Sequence, residues 1–434
     1  MILRTAALVA ALVGFALAPA ASAAAPAYAP VDQPGPPLSV PLSKLQASLS
    51  CEPGVNSARV EPVLLNPGTG SSPNENFGWN WEPALDQLGI PWCAFTPPYY
   101  TLGDIPTSGE YLVYAIRTMY AMAHRPIAIM GHSQGGMSMR WALRFWPDTR
   151  PMVADVIGAA PSNHGTTQVS SSSCAPGCPP GIWQQIAGSQ FIQALNSYAE
   201  TFSGIAYTNI YTHHDEVVTP NSSSSQCSSC LHTGQGQITN VATQDVCPVN
   251  QSDHIQIGTI DPVAYALAVD ALTHPGPADR SRIPQSVCLQ PLMPGVSSPS
   301  SAQAGVAALT QSVPELGVAT AAVGQGWIAS SLSGAPDDRS EPPLPCYVFA
   351  SCVAGGASSG SAPSTAAPTL RLTFHKGRLT HAGKRVVHVH VSVLEGSSFD
   401  PVRGAWVKLA GHIGHTDRHG NATLIVRLAR KHTY

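Results

Sequence analysis

The stretch PIAIMGHSQGGMSMRW, residues 126–141, carries the pattern that decides the fold. An apolar run typical of a buried strand ends in Gly131-His132-Ser133-Gln134-Gly135, which fits G-x-S-x-G, and a helical pattern follows from Gln134 to Phe145. In this motif the serine occupies a tight, strained turn, and the flanking glycines avoid the clashes that side chains would cause there. The stretch therefore predicts a nucleophile, Ser133, exposed at the carboxyl edge of a sheet. The alternative is a glycine-rich turn with an inert serine.

The rest of the chain up to about residue 350 alternates strand and helix patterns. Helical spacing covers 108–124, with Ser108 or Thr107 as the expected N-cap, and Asp261-Pro262 is a typical helix start. Apolar segments that predict strands are VEPVLLNPGTG (60–70), PWCAFTPP (91–98), MVADVIGAAP (152–161) and GIAYTNIYTHHD (204–215). This alternation predicts an α/β fold with a mostly parallel sheet covered on both faces.

A serine hydroxyl needs a base to take its proton and a carboxylate to orient that base. In this fold the chain order is serine, then acid, then histidine. Asp215 follows a predicted strand and is the preferred acid. Its neighbour Glu216 is the alternative, and is more simply interpreted as a support for the loop. The preferred base is His254, in the polar loop NQSDHIQIG ahead of a predicted helix.

The tetrahedral intermediate of acyl transfer carries a negative oxygen, so hydrogen-bond donors must already point at it. One expected donor is the backbone N–H of Gln134, the residue after the nucleophile. The other donors are expected from the turn Pro67-Gly68-Thr69-Gly70, where glycines allow close approach and Thr69 adds a hydroxyl. A simple β-turn is the alternative interpretation of these four residues.

Taken in order, LLNPGTG, GHSQGG, YTHHDEVVTP and the SDH loop resemble the motifs of the Candida antarctica lipase B-like family of α/β-hydrolase-fold lipases. FGWNWEPALDQLGIPWCAFTPP, IWQQIAGS (182–189) and an alanine-rich segment (303–332) extend the resemblance over about 45–352. It implies Ser133, Asp215 and His254 as a catalytic triad, with Thr69 and Gln134 as the oxyanion hole. It also implies three disulfides, Cys51–Cys93, Cys247–Cys288 and Cys346–Cys352.

Two features depart from that family. His132 stands where the yeast lipase has a bulky indole before its serine, which puts the alcohol-side pocket in doubt. The segment QVSSSSCAPGCPPG (168–181) lies where the family has a mobile cover. The close pairs Cys174/Cys178 and Cys227/Cys230 are extra to the resemblance. We expect them to form local disulfides, with zinc ligation as the alternative.

The N-terminal residues MILRTAALVAALVGFALAPAASA combine Arg4, an apolar run and Ala21-Ser22-Ala23. This pattern predicts a signal peptide over 1–23 and a secreted protein. A membrane anchor is the alternative, but the apolar core is short for a spanning helix. The ten cysteines fit an oxidising compartment.

Charge divides the chain unevenly. Residues 366–434 hold eleven Lys/Arg against three Asp/Glu, a balance of +8, whereas residues 1–365 hold eleven against 22, a balance of −11. We predict an α/β-hydrolase lipase domain over 24–353, a Gly/Ser/Pro linker over 354–368, and a small all-β module over 369–434. That module resembles Ig-like or carboxypeptidase-regulatory-like domains and is predicted to be β-sandwich-like.

The predicted function is a secreted serine hydrolase that cleaves carboxylic esters of lipids and needs no cofactor. A short-chain or polyester esterase, an acyltransferase, and an inactive hydrolase-fold protein that binds the cell envelope are alternatives. We expect no nucleic-acid partner. The basic module suggests contact with anionic surfaces, in which case deletion of 356–434 should abolish salt-sensitive pelleting with anionic vesicles. Unchanged pelleting would rule this contact out.

Overall fold

The computed structural model describes residues 27–312, 334–354, 370–379, 384–395, 398–401, 406–409, 412–417 and 419–427. The predicted signal peptide, the part of the alanine-rich segment after residue 312 and all but the first residue of the predicted linker lie outside the described residues. Within the described residues, no helix combines the length and apolar character needed to cross a membrane.

A seven-stranded sheet organises the first part of the chain. Its strands are β1 (Leu49–Cys51), β2 (Val63–Asn66), β3 (Trp92–Phe95), β4 (Ile127–His132), β5 (Val153–Ala159), β6 (Ala206–Tyr211) and β7 (Gln237–Ala242). The spatial order is β1-β3-β2-β4-β5-β6-β7. Only the edge pair β1/β3 is antiparallel, and all the other pairs are parallel. The predicted mostly parallel sheet is confirmed. The short strand β1 and the edge strand β7 were not predicted.

Helices cover both faces of this sheet. They are α1 (Leu42–Ser48), α2 (Pro73–Asn76), α3 (Trp81–Leu88), α4 (Ile105–Ala123), α5 (Gln134–Phe145), α6 (Pro180–Trp183), α7 (Gln190–Leu195), α8 (Thr243–Val246), α9 (His254–Thr259), α10 (Pro262–Thr273), α11 (Pro299–Ser312) and α12 (Ala350–Ala354).

One apolar core lies on each face of the sheet. Alternate side chains of the central strand β4 belong to one core or the other. In β4, Ile127 and Ile129 belong to the core formed with α4 and α5, whereas Ala128 and Met130 belong to the core formed with α10. All six residues of β4 are buried. Successive side chains of a strand point to opposite faces, so a strand covered on both sides is apolar over most of its length, as β4 is from Ile127 to Met130.

Side-chain caps fix where two of these helices begin. Asp261 caps α10 by accepting the N–H of Ala264 at 2.6 Å, as predicted. The predicted start of α4 was wrong. This helix begins at Ile105, because Asp104 accepts the N–H of Thr107 at 2.9 Å, and Pro106 suits the first turn. The capping carboxylate therefore lies upstream of both hydroxyl candidates.

Ten cysteines form five disulfides. Three pairs are those that the resemblance implies, Cys51–Cys93, Cys247–Cys288 and Cys346–Cys352. The other two are the local pairs Cys174–Cys178 and Cys227–Cys230. The thiols that zinc would require are therefore engaged in disulfides.

The C-terminal strands are antiparallel, as predicted for an all-β module. They are β8 (Leu370–Leu379), β9 (Lys384–Glu395), β10 (Ser398–Pro401), β11 (Trp406–Leu409), β12 (His412–His415) and β13 (Asn421–Arg427). Strand β9 pairs with β8, β10 and β13, while β11 pairs with β12. The rings of His388 and His390 bond Thr423 and Asn421 on the neighbouring strand, so both face the same side.

Candidate active site

Ser133 occupies the tight turn between β4 and α5, with φ 55° and ψ −126°. Close backbone packing explains the glycines around it. A Cβ on Gly131 would lie 2.3 Å from the carbonyl carbon of Gly135, and one on Gly135 would lie 2.1 Å from the carbonyl oxygen of Asn66. Neither position can hold a side chain. The backbone of this turn matches the strained strand-to-helix elbow that the motif predicts. The predicted exposure of Ser133 was wrong, because neighbouring segments cover the residue and leave it 3% exposed.

Asp215 and His254 meet at the same edge of the sheet. Asp215 follows β6, and His254 is the first residue of α9. The ring Nδ1 of His254 lies 3.0 Å and 3.1 Å from the two carboxylate oxygens of Asp215. Both side chains are almost completely buried, with exposed fractions of 1% for His254 and 0% for Asp215. If Nδ1 carries the proton, this bond leaves Nε2 free to act as a base.

Hydrogen-bond donors surround the Asp215 carboxylate. One oxygen accepts the backbone N–H groups of Val217 and Val218 at 3.0 Å and 2.7 Å. The other accepts the Asn221 amide at 3.2 Å as well as the His254 ring. A buried carboxylate stays charged when donors of this kind replace the lost water.

Burial alone would lower the pKa of His254, but the neighbouring Asp215 carboxylate outweighs it and raises this pKa above its ordinary value. Glu216, the alternative acid, accepts the backbone N–H of His254 at 3.2 Å rather than bonding the ring. Burial raises the pKa of Glu216. This contact fits the interpretation that Glu216 supports the loop.

His132 links the nucleophile turn to the histidine loop. Its Nε2 lies 3.1 Å from the carbonyl oxygen of His254, and the two rings lie 5.1 Å apart between centroids. Burial and the charge of His254 lower the pKa of His132 to about 3, so its ring is neutral at physiological pH. The residue before Ser133 thus contacts the residue that would activate Ser133.

These contacts bring the three predicted triad residues to one locality. Within the described residues, Ser133 Oγ and His254 Nε2 do not form a hydrogen bond with each other. Such bonds are often long in unliganded hydrolases and shorten when substrate binds.

The predicted oxyanion donors lie beside the nucleophile turn. Residues 68–70 follow β2, and a Cβ on Gly68 would lie 3.3 Å from the Cβ of Ser133. The Thr69 hydroxyl accepts the Gln185 amide at 3.0 Å, which leaves its own hydrogen available. Gln134 begins α5, so its backbone N–H has no partner within the helix. Thr69 and Gln134 are both buried, with exposed fractions of 3% and 2%.

Several residues of this site were missed from the sequence. Gln185, Asn221 and Asn76 each fix part of it, the last by accepting the N–H of Gly68 at 2.8 Å. Gln185 lies within the IWQQIAGS segment, which was a usable signal. No local pattern marks the two asparagines, because their partners are distant in the chain or separated by a turn.

The loop closed by Cys227–Cys230 supports Asn221. The Asn221 amide donates to Ser229 Oγ at 2.9 Å, and the Ser229 N–H donates to Asn221 Oδ1 at 3.1 Å. Asn221 is 3% exposed, so its side chain is inaccessible in the folded protein. The loop closed by the Cys227–Cys230 disulfide is therefore linked to the Asp215 carboxylate through Ser229 and Asn221. Within the described residues, no group of three or more His, Cys, Asp or Glu side chains could hold a metal.

Comparisons with known proteins agree with this fold. Over 222 residues the chain is 35% identical to Lipase B of Pseudozyma antarctica, an alignment that covers 50% of this chain and 64% of that protein. The crystal structure of Aspergillus fumigatus lipase B matches with a TM-score of 0.63 and 28% identity, and covers 73% of this chain and 74% of that one. No family model matches the chain. The resemblance and the α/β-hydrolase fold are confirmed, although the chain spans just under two thirds of the length of the first of these relatives.

Proposed function

We propose that this protein is a carboxylic-ester hydrolase that forms an acyl-enzyme at Ser133. The observation that carries the proposal is the buried hydrogen bond between His254 Nδ1 and the Asp215 carboxylate, next to the Ser133 turn. The similarity to two lipases supports the ester-hydrolase class.

In the proposed acylation step, Ser133 Oγ attacks the ester carbonyl carbon while its proton passes to His254 Nε2. The carbonyl π electrons move to oxygen, which accepts hydrogen bonds from Thr69 and Gln134. When the tetrahedral intermediate collapses, the C–O bond to the alcohol breaks, and His254 returns the proton to the departing oxygen. Asp215 holds the imidazole and stabilises its cation.

In the proposed deacylation step, water takes the place of the alcohol. The water oxygen attacks the acyl carbon while His254 accepts a proton from that water. The bond between the acyl carbon and Ser133 Oγ then breaks, and His254 returns the proton to Oγ as the acid leaves. In this scheme, His254 accepts and returns the proton in both steps.

We further propose that the substrates are lipid esters and that the protein is exported. Five disulfides and the N-terminal signal-peptide pattern support export. The two similar lipases support the substrate class.

A fluorophosphonate probe tests the central claim, because it phosphorylates an activated serine. We expect the folded wild type to take one label and Ser133→Ala to take none. Heat-denatured wild type serves as the control for labelling that does not need an assembled site. Absence of label on the folded wild type, or equal label on Ser133→Ala, would contradict the proposal. Initial rates on soluble short-chain esters and emulsified long-chain esters would then define the substrate class.

A further inference from the structure

Three consecutive non-glycine residues adopt left-handed backbone conformations. They lie beside the turn Pro67-Gly68-Thr69-Gly70, which is called the oxyanion turn below. The φ angles of Tyr99, Tyr100 and Thr101 are 53°, 53° and 67°. Residues with a Cβ rarely enter this region, because the Cβ approaches the following carbonyl oxygen. Such strained conformations persist only where the surroundings impose them, and they concentrate at functional sites.

Burial of aromatic side chains does not account for this conformation. Tyr99 and Tyr100 are 49% and 45% exposed, whereas Thr101 is 6% exposed. The run therefore leaves two large apolar side chains partly in solvent and turns one small polar side chain inward.

The inward side chain contacts both neighbours of Thr69. Thr101 Oγ1 accepts the N–H of Gly70 at 2.9 Å. Its single hydrogen is within reach of the Gly68 carbonyl oxygen, at 2.9 Å, and also of its own neighbour Tyr100, whose carbonyl oxygen lies at 2.5 Å. The Thr101 hydroxyl thus bridges residues 68 and 70 and confines the residue between them.

The other side of the run is attached to the segment around α6. The N–H of Gly181 donates to the carbonyl oxygen of Leu102 at 3.0 Å, and Leu102 packs with Ile182 and Trp183. A Cβ on Gly181 would lie 2.6 Å from the carbonyl oxygen of Thr101. The strained turn is therefore held between the oxyanion turn and the segment that follows the Cys174–Cys178 loop.

We propose that Thr101 is a positioning residue for the oxyanion hole, and that the left-handed run 99–101 is retained because it delivers the Thr101 hydroxyl to residues 68–70. This inference rests on the proposed function. A donor must be aligned before charge develops on the substrate oxygen, so loosening Thr69 weakens transition-state stabilisation more than substrate binding.

The test compares Thr101→Val with Thr101→Ser in the full chain. Valine keeps the shape and β-branching of threonine but removes the hydroxyl, whereas serine keeps the hydroxyl and removes only the methyl group. For Thr101→Val we expect kcat on a soluble ester to fall at least about 10-fold with KM within about twofold. Affinity for a trifluoromethyl ketone, which forms a tetrahedral adduct with an oxyanion, should fall by the same factor as kcat/KM. Thr101→Ser should stay within about threefold of wild type in all three measurements.

Thr101→Gly separates positioning from stability. Glycine adopts positive φ freely, which offsets part of the cost of the lost hydrogen bonds. We expect its unfolding midpoint to lie above that of Thr101→Val, while its kcat is at least as low. This variant also provides the measurement if Thr101→Val does not fold.

Two outcomes overturn the inference. The first is a Thr101→Val or Thr101→Gly variant whose kcat and ketone affinity equal those of the wild type. The second is a loss of kcat that is proportional to the fall in unfolding midpoint across the variants. A wild type that hydrolyses no ester and takes no fluorophosphonate label is a different result, because it contradicts the proposed function itself.

Discussion

Two buried aspartates, Asp215 and Asp155, lie near opposite ends of the parallel strands of one sheet and have different surroundings. Asp215 follows the carboxyl end of β6, and its oxygens accept hydrogen bonds from two backbone amides, the Asn221 amide and the His254 ring. Asp155 lies near the amino end of β5, where one of its oxygens is buried without a hydrogen-bond partner. Burial, followed by the hydrogen bond and charge of the neighbouring Glu61 carboxyl, raises the pKa of Asp155 to about 8.

The comparison shows that burial does not by itself decide the charge of a carboxyl group. Both residues are buried, with exposed fractions of 7% each when backbone and side chain are counted together. Donors replace water around Asp215, whereas a second carboxyl faces Asp155. Hydrogen-bond donors favour the charged form of a carboxyl group, whereas a second carboxyl group disfavours it.

The largest effect is expected for Asp215→Asn, which removes the charge and keeps the size of the side chain. The expected fall in kcat is about 10³–10⁴-fold, because the asparagine amide would favour the wrong tautomer of His254. Initial rates on a soluble ester measure this effect, with circular dichroism as the folding control. A fall of less than tenfold would mean that Asp215 is not the orienting acid.

The pH profile gives a second measure of the same substitution. Proton uptake by His254 blocks its action as a base, so kcat/KM of the wild type should fall as pH drops through an apparent pKa above 6.5, the ordinary histidine value. Without the Asp215 charge, the residual activity of Asp215→Asn should fall only at lower pH. A wild-type midpoint below 6.5 would argue against the His254–Asp215 interaction.

The smaller effect is expected for Asp155→Asn, and it concerns stability. Because the folded-state pKa of Asp155 is about 8 and the unfolded value is about 4, the unfolded chain binds fewer protons between these limits. The wild type should therefore lose stability as pH rises from about 4 to about 8, whereas the variant lacks this loss. The expected gain over wild type at pH 8 is on the order of 1 kcal/mol or more, and it should shrink towards pH 4.

Denaturant unfolding at pH 4, 6 and 8 measures this gain. Glu61→Gln should reproduce part of it, because the Glu61 charge contributes to the raised pKa of Asp155. A difference between Asp155→Asn and wild type that is the same at every pH would show that Asp155 titrates normally.

Local patterns were sufficient for the parts of the site that are contiguous in sequence. The Ser133 elbow, the Gly68-Thr69-Gly70 turn and the cap of α10 each depend on a few adjacent residues, so strand, glycine and helix signals located them. The start of α4 was predicted too late, because a hydroxyl inside the helix was preferred to the carboxylate of Asp104 upstream. The edge strand β7 was missed because three of its six residues, Gln237, Thr239 and Asn240, are polar and leave no continuous apolar run.

The sequence predicted the candidate triad in chain order, whereas the residues that contact it were not predicted. Asn221, Gln185 and Thr101 form hydrogen bonds with partners that the fold brings close to them. No spacing rule connects Thr101 with Gly68 across 33 residues. The left-handed conformations of Tyr99, Tyr100 and Thr101 could not be predicted, because none of the three is a glycine or asparagine, the residues that usually indicate such a conformation.

The sequence by itself determined which residue types meet, in which chain order, and at which ends of strands, because strand periodicity, turn glycines and helix caps are local properties of the polymer. Only the tertiary structure decided which buried carboxyl is surrounded by donors and which faces another carboxyl, and which hydroxyl bridges the oxyanion turn. Those outcomes depend on dielectric environment and on hydrogen-bond geometry between distant segments, and both arise only when the chain has packed.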